Sequence, residues 1–353
     1  MKVSFFRGIG VAVLVLATVV GCSSSSEKEQ GKSGGLDGVY RLDFDPSQRT
    51  ALGEPAAQTG PITAKWAFRS TCSDSGCVAT ATKLLNDGKP STTQAVLDQL
   101  DGKWVMVLGE DSKCNAGGQP ARVLGTWVLE PKDDNNLAGN WSEITTGGDC
   151  PWVVQMPVKM TREGDLPEGV SPVDPTTVEA RKPSKAEGFQ GTYTQTVTFR
   201  PPAGDPGVLS VDVQTFCVRN TEECASLQST AINNSRQTTP LTFGGDKWTF
   251  RFNRGARPCP DGAQGDSYLN DEVMLPDPAS NPMQSLTGTR RLEQLAPCPG
   301  DQFLDLQYQR SDAPNGAPAP AAPPPPPAEP APAPAPGEPA PGEPAPPAPA
   351  PGG

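Results

Sequence analysis

Apolar and polar residues alternate with period two through most of this chain, the signature of half-buried β-strands. Val154, Met156, Val158 and Met160 share one face, with Gln155, Lys159 and Thr161 on the other. The same alternation runs through Trp66 and Phe68, through Trp104, Met106 and Leu108, and through Trp248, Phe250 and Phe252. Short turn signals rich in Gly, Asp and Asn separate the runs: "LDGK", "PKDDNN", "TGGD" and "FGGDK". No long stretch of helical period intervenes, which argues against parallel βαβ units. Between residues 36 and 164 the runs fall at 38–44, 64–72, 77–84, 93–98, 103–109, 122–130, 137–146 and 152–162. Consecutive hairpin-linked strands in that number close most simply into an up-and-down antiparallel barrel, which leaves no exposed edge. A pair of packed sheets, the β-sandwich, is the alternative all-β reading.

The pattern occurs twice. "LDGVYRLDFDP" (36–46) answers to "FQGTYTQTVTFRP" (189–201), and "DGKWVMVLGEDSKC" (101–114) to "GDKWTFRFNRGARPC" (245–259). Cys72, Cys77, Cys114 and Cys150 precede Cys217, Cys224, Cys259 and Cys298 by 145, 147, 145 and 148 positions. Two homologous β-domains are therefore expected, at 36–164 and 187–310, joined by a linker at 165–186. Each is long enough to hold its own core.

The two ends differ in kind from this middle. Lys2 and Arg7 precede an apolar run from Ile9 to Val20, shorter than the ~20 residues of a membrane span and sized for a signal-peptide core. The run ends in Val19-Val20-Gly21-Cys22 followed by four serines, and it resembles the lipobox of bacterial lipoproteins. That resemblance implies removal of residues 1–21, acylation of Cys22, and an extracytoplasmic chain anchored on the outer face of the cell membrane or elsewhere in the envelope. Residues 22–35 read as a flexible tether. Residues 311–353 are almost entirely Pro, Ala, Gly and Glu, a disordered or polyproline II spacer reaching roughly 100 Å. Loss of Lys2 and Arg7 moves the net charge from −11 to −13, which argues against nucleic acid as a partner.

With Cys22 acylated, the other cysteines divide evenly between the domains, and an oxidising compartment makes them disulfides. Each domain allows three connectivities, and spacing alone does not choose among them. The expected set is Cys72–Cys77 and Cys114–Cys150, with Cys217–Cys224 and Cys259–Cys298 as its repeat. CxxC pairs are lacking, and so is histidine throughout. This speaks against zinc sites, removes Ser-His-Asp and Cys-His nucleophilic sites, and removes the commonest general base. Asp133-Asp134-Asn135-Asn136 lacks the alternating spacing of a calcium loop and reads as a hairpin turn. Neither a metal nor a cofactor is expected. Trp66, Trp104, Trp127, Trp141 and Trp152 concentrate in the first domain, leaving only Trp248 to the second. If either barrel holds a ligand cavity, the first is the better candidate, with Trp66, Phe68, Trp104 and Trp127 as its lining.

Trp66-Ala67-Phe68-Arg69-Ser70, then Cys72 and Gly76-Cys77-Val78-Ala79-Thr80-Ala81-Thr82, resembles a segment from the extracytoplasmic regions of some mycobacterial Ser/Thr protein kinases and their secreted relatives. "LDGVYRLDFD" and "DGKW" are similar too. The second domain shares this only weakly, since Val211 and Gln214 stand where the first has Trp66 and Arg69. The resemblance implies a sensor-like envelope module of actinobacterial type, without a kinase. The expected function is therefore non-catalytic binding of an apolar or glycan ligand or of an envelope protein. A structural role worked through the Pro-rich tail is the alternative, and a carboxylate-dependent envelope hydrolase a remote one.

Overall fold

The structure, a computed structural model, describes residues 35–311 except 75, 115–117, 148–149, 202–204 and 233–234. The expected signal peptide (1–21), the expected acylation site Cys22 and residues 312–353 of the Pro/Ala tail lie outside the described residues. The chain opens with β1 (Gly38–Phe44) and a small ribbon, β2 (Thr50–Ala51) and β3 (Glu54–Pro55). It continues with β4 (Ile62–Ser73), β5 (Gly76–Leu84), β6 (Pro90–Leu100), β7 (Lys103–Lys113), β8 (Pro120–Asp133), β9 (Asn136–Thr146) and β10 (Trp152–Gly164). Every strand from β4 to β9 pairs antiparallel with its successor, and β1 closes the ring by pairing with both β4 and β10. A second closed antiparallel barrel follows. Its strands are β11 (Gly191–Arg200), β12 (Gly207–Cys217), β13 (Cys224–Ile232), β14 (Ser235–Gly244), β15 (Lys247–Pro258), β16 (Gln264–Met274), β17 (Ser285–Gln294) and β18 (Gly300–Arg310). All eight runs read from the first domain are barrel strands, and the barrel rather than the sandwich is the architecture.

Local chemistry explains where the strands begin and how closely they approach. Gly38 and Gly191 open β1 and β11 at φ +106° and +109°, a region where only glycine is unstrained. Tyr40 and Tyr193, each two residues on, then point into the cores. Gly139 sits where a Cβ would lie 1.8 Å from the Val128 carbonyl oxygen, and its repeat Gly288 where one would lie 2.3 Å from that of Glu272. Asp133 accepts a hydrogen bond from the Asn135 amide at 2.9 Å and caps the β8–β9 hairpin, as its turn chemistry predicts. Cys72 and Cys77 face each other across β4 and β5 with Cα atoms 4.0 Å apart, and Cys217 and Cys224 do so across β12 and β13. Cys114–Cys150 and Cys259–Cys298 join at Cα separations of 5.7 and 5.8 Å, tying the ends of β7 and β15 to segments late in each domain.

The two interiors are built differently. In the first, Trp104, Met106, Leu97, Phe68 and Tyr40 form an apolar core, with the Tyr40 and Phe68 rings edge to face at 5.4 Å. In the second, Phe189 plugs one end, its ring 4.9 Å from Trp248 and 5.3 Å from Tyr193. The short 3-10 turn Lys185–Gly188 delivers it, capped reciprocally by Ser184 and Glu187. Val211, Val213, Leu241, Val273 and Leu306 extend this apolar core, and a polar network lies beside it. The Arg290 guanidinium grips the buried Asp271 carboxylate with two hydrogen bonds of 2.7 Å. The Tyr308 hydroxyl accepts from Gln195 at 2.5 Å and from Gln228 at 3.0 Å. Burial pushes the Tyr308 phenol well above its ordinary value, and the Asp271 charge adds to that.

The barrels pack side against side. Leu124, Ile144 and Val153 point outward from β8, β9 and β10 and meet Phe216, Ala225 and Leu227 from the outer faces of β12 and β13. Arg122 spans the seam with a bidentate pair to Glu223, at 2.8 and 2.9 Å. Arg219 reaches Asp98 at 2.9 Å, and the β2–β3 turn accepts at the Leu52 carbonyl from the Thr238 amide. The segment joining the barrels is a strap laid on the first. Val170 is buried against Val39, Ala67 and Leu84, the Thr80 hydroxyl donates to the Val173 carbonyl at 2.6 Å, and Arg69 holds Asp174 at 3.2 Å.

Two outcomes test these packings. Gly139→Ala should cost about 1–3 kcal/mol in chemical denaturation, because the clash is with backbone. Gly207→Ala, whose nearest neighbour would lie at 3.9 Å, should be close to neutral. Tyr308 keeps its proton in the fold beyond the ordinary value of 10.0, at which the unfolded chain loses it. Stability is therefore undiminished below that pH and falls as pH rises above it, by about 1.4 kcal/mol per unit per such group. Tyr40, also raised mainly by burial, adds to the slope. Tyr308→Phe should flatten the alkaline part of a melting-temperature profile.

Candidate functional site: the aromatic mouth of the first barrel

Because side chains alternate along each strand, a handful of inward positions at one end of the barrel decide whether that end is filled. In the first barrel they enclose a cavity of about 330 Å³. Its wall is a chain of rings. Phe44 lies 5.8 Å from Trp141, Trp141 6.5 Å from Trp127, and Trp127 6.4 Å from Trp66, each pair strongly inclined. Ile62, Ala64, Leu108, Val123 and Met156 add to the apolar lining, and Gly125 lies against the Trp127 indole, two of whose ring atoms would stand 3.2 Å from a Cβ there. The Trp127 indole nitrogen is buried in this wall without a hydrogen-bond acceptor among the described residues.

Charge is confined to three residues that line the cavity, Lys83, Glu110 and Glu143. Lys83 and Glu110 are exposed, whereas Glu143 is half-buried. Among the described residues none of the three forms a salt bridge. Most other carboxylates on strands near the barrel ends are paired: Glu130 sits between Lys103 and Lys132, which hold its carboxyl down to about 2.

The second barrel supplies an internal comparison through strand register. Tyr40 faces Trp66, and its repeat Tyr193 faces Val211. Trp104 faces Leu129 as Trp248 faces Val273, so Trp127 and Asp271 are equivalent, two positions back. Trp127 faces Trp141, whereas Asp271 faces Arg290. Glu143, two residues beyond Trp141, corresponds to Leu292. A pair of indoles bordering a void in one barrel is thus an ion pair in the other.

Of the residues expected to line a site, Trp66 and Trp127 do so. Phe68 and Trp104 are not in the lining and lie in the packed core. Trp141, Phe44 and Glu143 belong to the cavity and were not in the expected set. Trp141 and Glu143 share the inward parity of Leu137 and Gly139 on β9, which is the signal that identifies them. Trp152 is exposed and absent from the lining.

Residues 33–177 match the model of the PknI serine/threonine-protein kinase sensor domain family. Serine/threonine-protein kinase PknI from Mycobacterium tuberculosis (strain ATCC 25618 / H37Rv) is 29% identical over 155 residues, 40% of this chain and 26% of the kinase. The same kinase from Mycobacterium bovis matches to the same extent. The chain thus spans about a quarter of the length of these curated relatives. Among solved structures, the monomer form of the M. tuberculosis PknI sensor domain is 28% identical, covering 41% of this chain and 98% of that one at a TM-score of 0.35. Its dimer form is 24% identical, covering 35% and 82% at a TM-score of 0.28. The first barrel, with its strap as far as Thr177, is therefore similar to the sensor domain of a mycobacterial serine/threonine-protein kinase, and the second barrel lies outside the matched residues.

Proposed function

We propose that this protein is a non-catalytic, sensor-like binding module of the cell envelope, in which the first barrel receives a small ligand at its aromatic mouth. The observation that carries this reading is the 330 Å³ cavity, walled by Phe44, Trp66, Trp127 and Trp141, at the site where the repeat encloses an ion pair. Eight-stranded barrels are just wide enough to be filled by side chains or to hold one small molecule, so leaving the space open is a choice of residues. The likeness of residues 33–177 to a kinase sensor domain supports the same reading. Four disulfides support an extracytoplasmic setting. The second barrel acts as a rigid platform, fixed to the first by the Phe216 and Leu227 contacts and the Arg122–Glu223 pair. The anchor is the acylated Cys22.

Solvent extraction of the purified full chain should release a small molecule, identifiable by mass spectrometry. Gly125→Val, whose side chain would press on the Trp127 indole and crowd the cavity, should abolish that release while the chain still melts in a cooperative, if lowered, transition. A variant that still carries the same molecule would remove the cavity from consideration. Metabolic labelling with an alkynyl fatty acid in a bacterial host should mark the wild type. Cys22→Ala should be unlabelled and move to the soluble fraction.

A further inference from the structure

We infer that the ligand of the first barrel carries a positive charge: a small organic cation, an ammonium or quaternary ammonium group on an apolar body. The inference deepens the ligand-binding reading above and depends on it. Three observations lead to it. The first is the wall, where inclined indole and phenyl rings surround a well and present π-faces and edges to one small group instead of forming a flat platform. Such cages attract cations through the ring quadrupole, and quaternary ammonium groups most characteristically, because their weak hydration makes desolvation cheap.

The second observation is the unpaired carboxylate. Glu143 is half-buried in the lining with no cationic partner among the described residues. A carboxylate facing an apolar well costs free energy unless something neutralises it. Glu110 adds a second negative charge at the rim and exposed Lys83 a single positive one, so the mouth as a whole is anionic. An anionic ligand meets repulsion there.

The third is the repeat itself. At the cross-strand pair equivalent to Trp127 and Trp141, the second barrel holds a guanidinium, that of Arg290, against Asp271. The same end of the same architecture thus accommodates a cation in one copy by carrying it covalently. The first copy has aromatic walls and a free carboxylate instead, and room for the cation to come from outside.

The test is isothermal titration of the full chain with matched probes: choline and benzyltrimethylammonium as cations, 3,3-dimethylbutan-1-ol as the neutral isostere of choline, benzenesulfonate as the anion, and diacetylchitobiose as a glycan. Choline should bind about tenfold or more tightly than its neutral isostere, and benzenesulfonate should not bind. Glu143→Gln should reduce choline affinity by about five- to tenfold and leave 3,3-dimethylbutan-1-ol unaffected, whereas Lys83→Met should strengthen choline binding. Equal affinity for choline and its isostere, or a preference for diacetylchitobiose, would overturn the cation inference while leaving the cavity as a ligand site. Equal choline affinity of the Glu143→Gln variant and the wild type would also overturn it. If Gly125→Val binds every probe as the wild type does, the cavity reading fails as well, and the two failures are thereby told apart.

Discussion

Closure of a small antiparallel barrel is the constraint on which everything else in this molecule depends. Once β1 pairs with β10, and β11 with β18, neither ring of barrel strands has an open edge, and each interior becomes a fixed volume lined by alternate residues. What stands at those inward positions must then fill that volume, hydrogen-bond within it or leave it open. The two copies take different courses. The second completes its interior with Phe189, Tyr308 and the Asp271–Arg290 pair; the first packs one half around Trp104 and opens the other between indoles.

Much of this was legible in the sequence, because period two is a strong signal wherever one face is buried. The strand runs, the duplication and the turn at Asp133 all follow from alternation and turn chemistry. The β2–β3 ribbon was not legible: strands of two residues carry no periodicity, and Thr50–Ala51 is ordered by contact with β10 rather than by its own preferences. Nor was the seam between barrels read, although its trace is present. Leu124, Val128, Ile144 and Val153 place apolar residues on the outward parity of strands whose inward parity is already apolar, as happens when both faces of a sheet are covered. The cavity was half legible. Concentration of tryptophan pointed to the first barrel, but which indoles pack and which line a void depends on their height along the barrel axis, and composition does not encode it.

Arg69 and Trp66 stand three residues apart in one motif and serve different ends. Arg69 points outward and fastens the strap through Asp174, while Trp66 points inward to the mouth. Their joint replacement by Gln214 and Val211 in the second copy is one change of circumstance seen on two faces, since that copy binds no strap at this face and encloses its own ion pair.

The seam between the barrels also governs copy number. It joins unlike surfaces, the outer face of β8–β10 on one unit and that of β12–β13 on the next, and a head-to-tail contact of this type can add units indefinitely. Both free ends are blocked. On the second barrel the positions equivalent to Leu124, Ile144 and Val153 are Tyr268, Glu293 and Asp301, and Arg291 pairs with both acids. On the first, those equivalent to Phe216, Ala225 and Leu227 are Thr71, Val78 and Thr80, and Thr80 is taken by the strap. A polar cap at one end and a covalent one at the other make this a two-unit array that terminates itself, a solenoid stopped after its first joint.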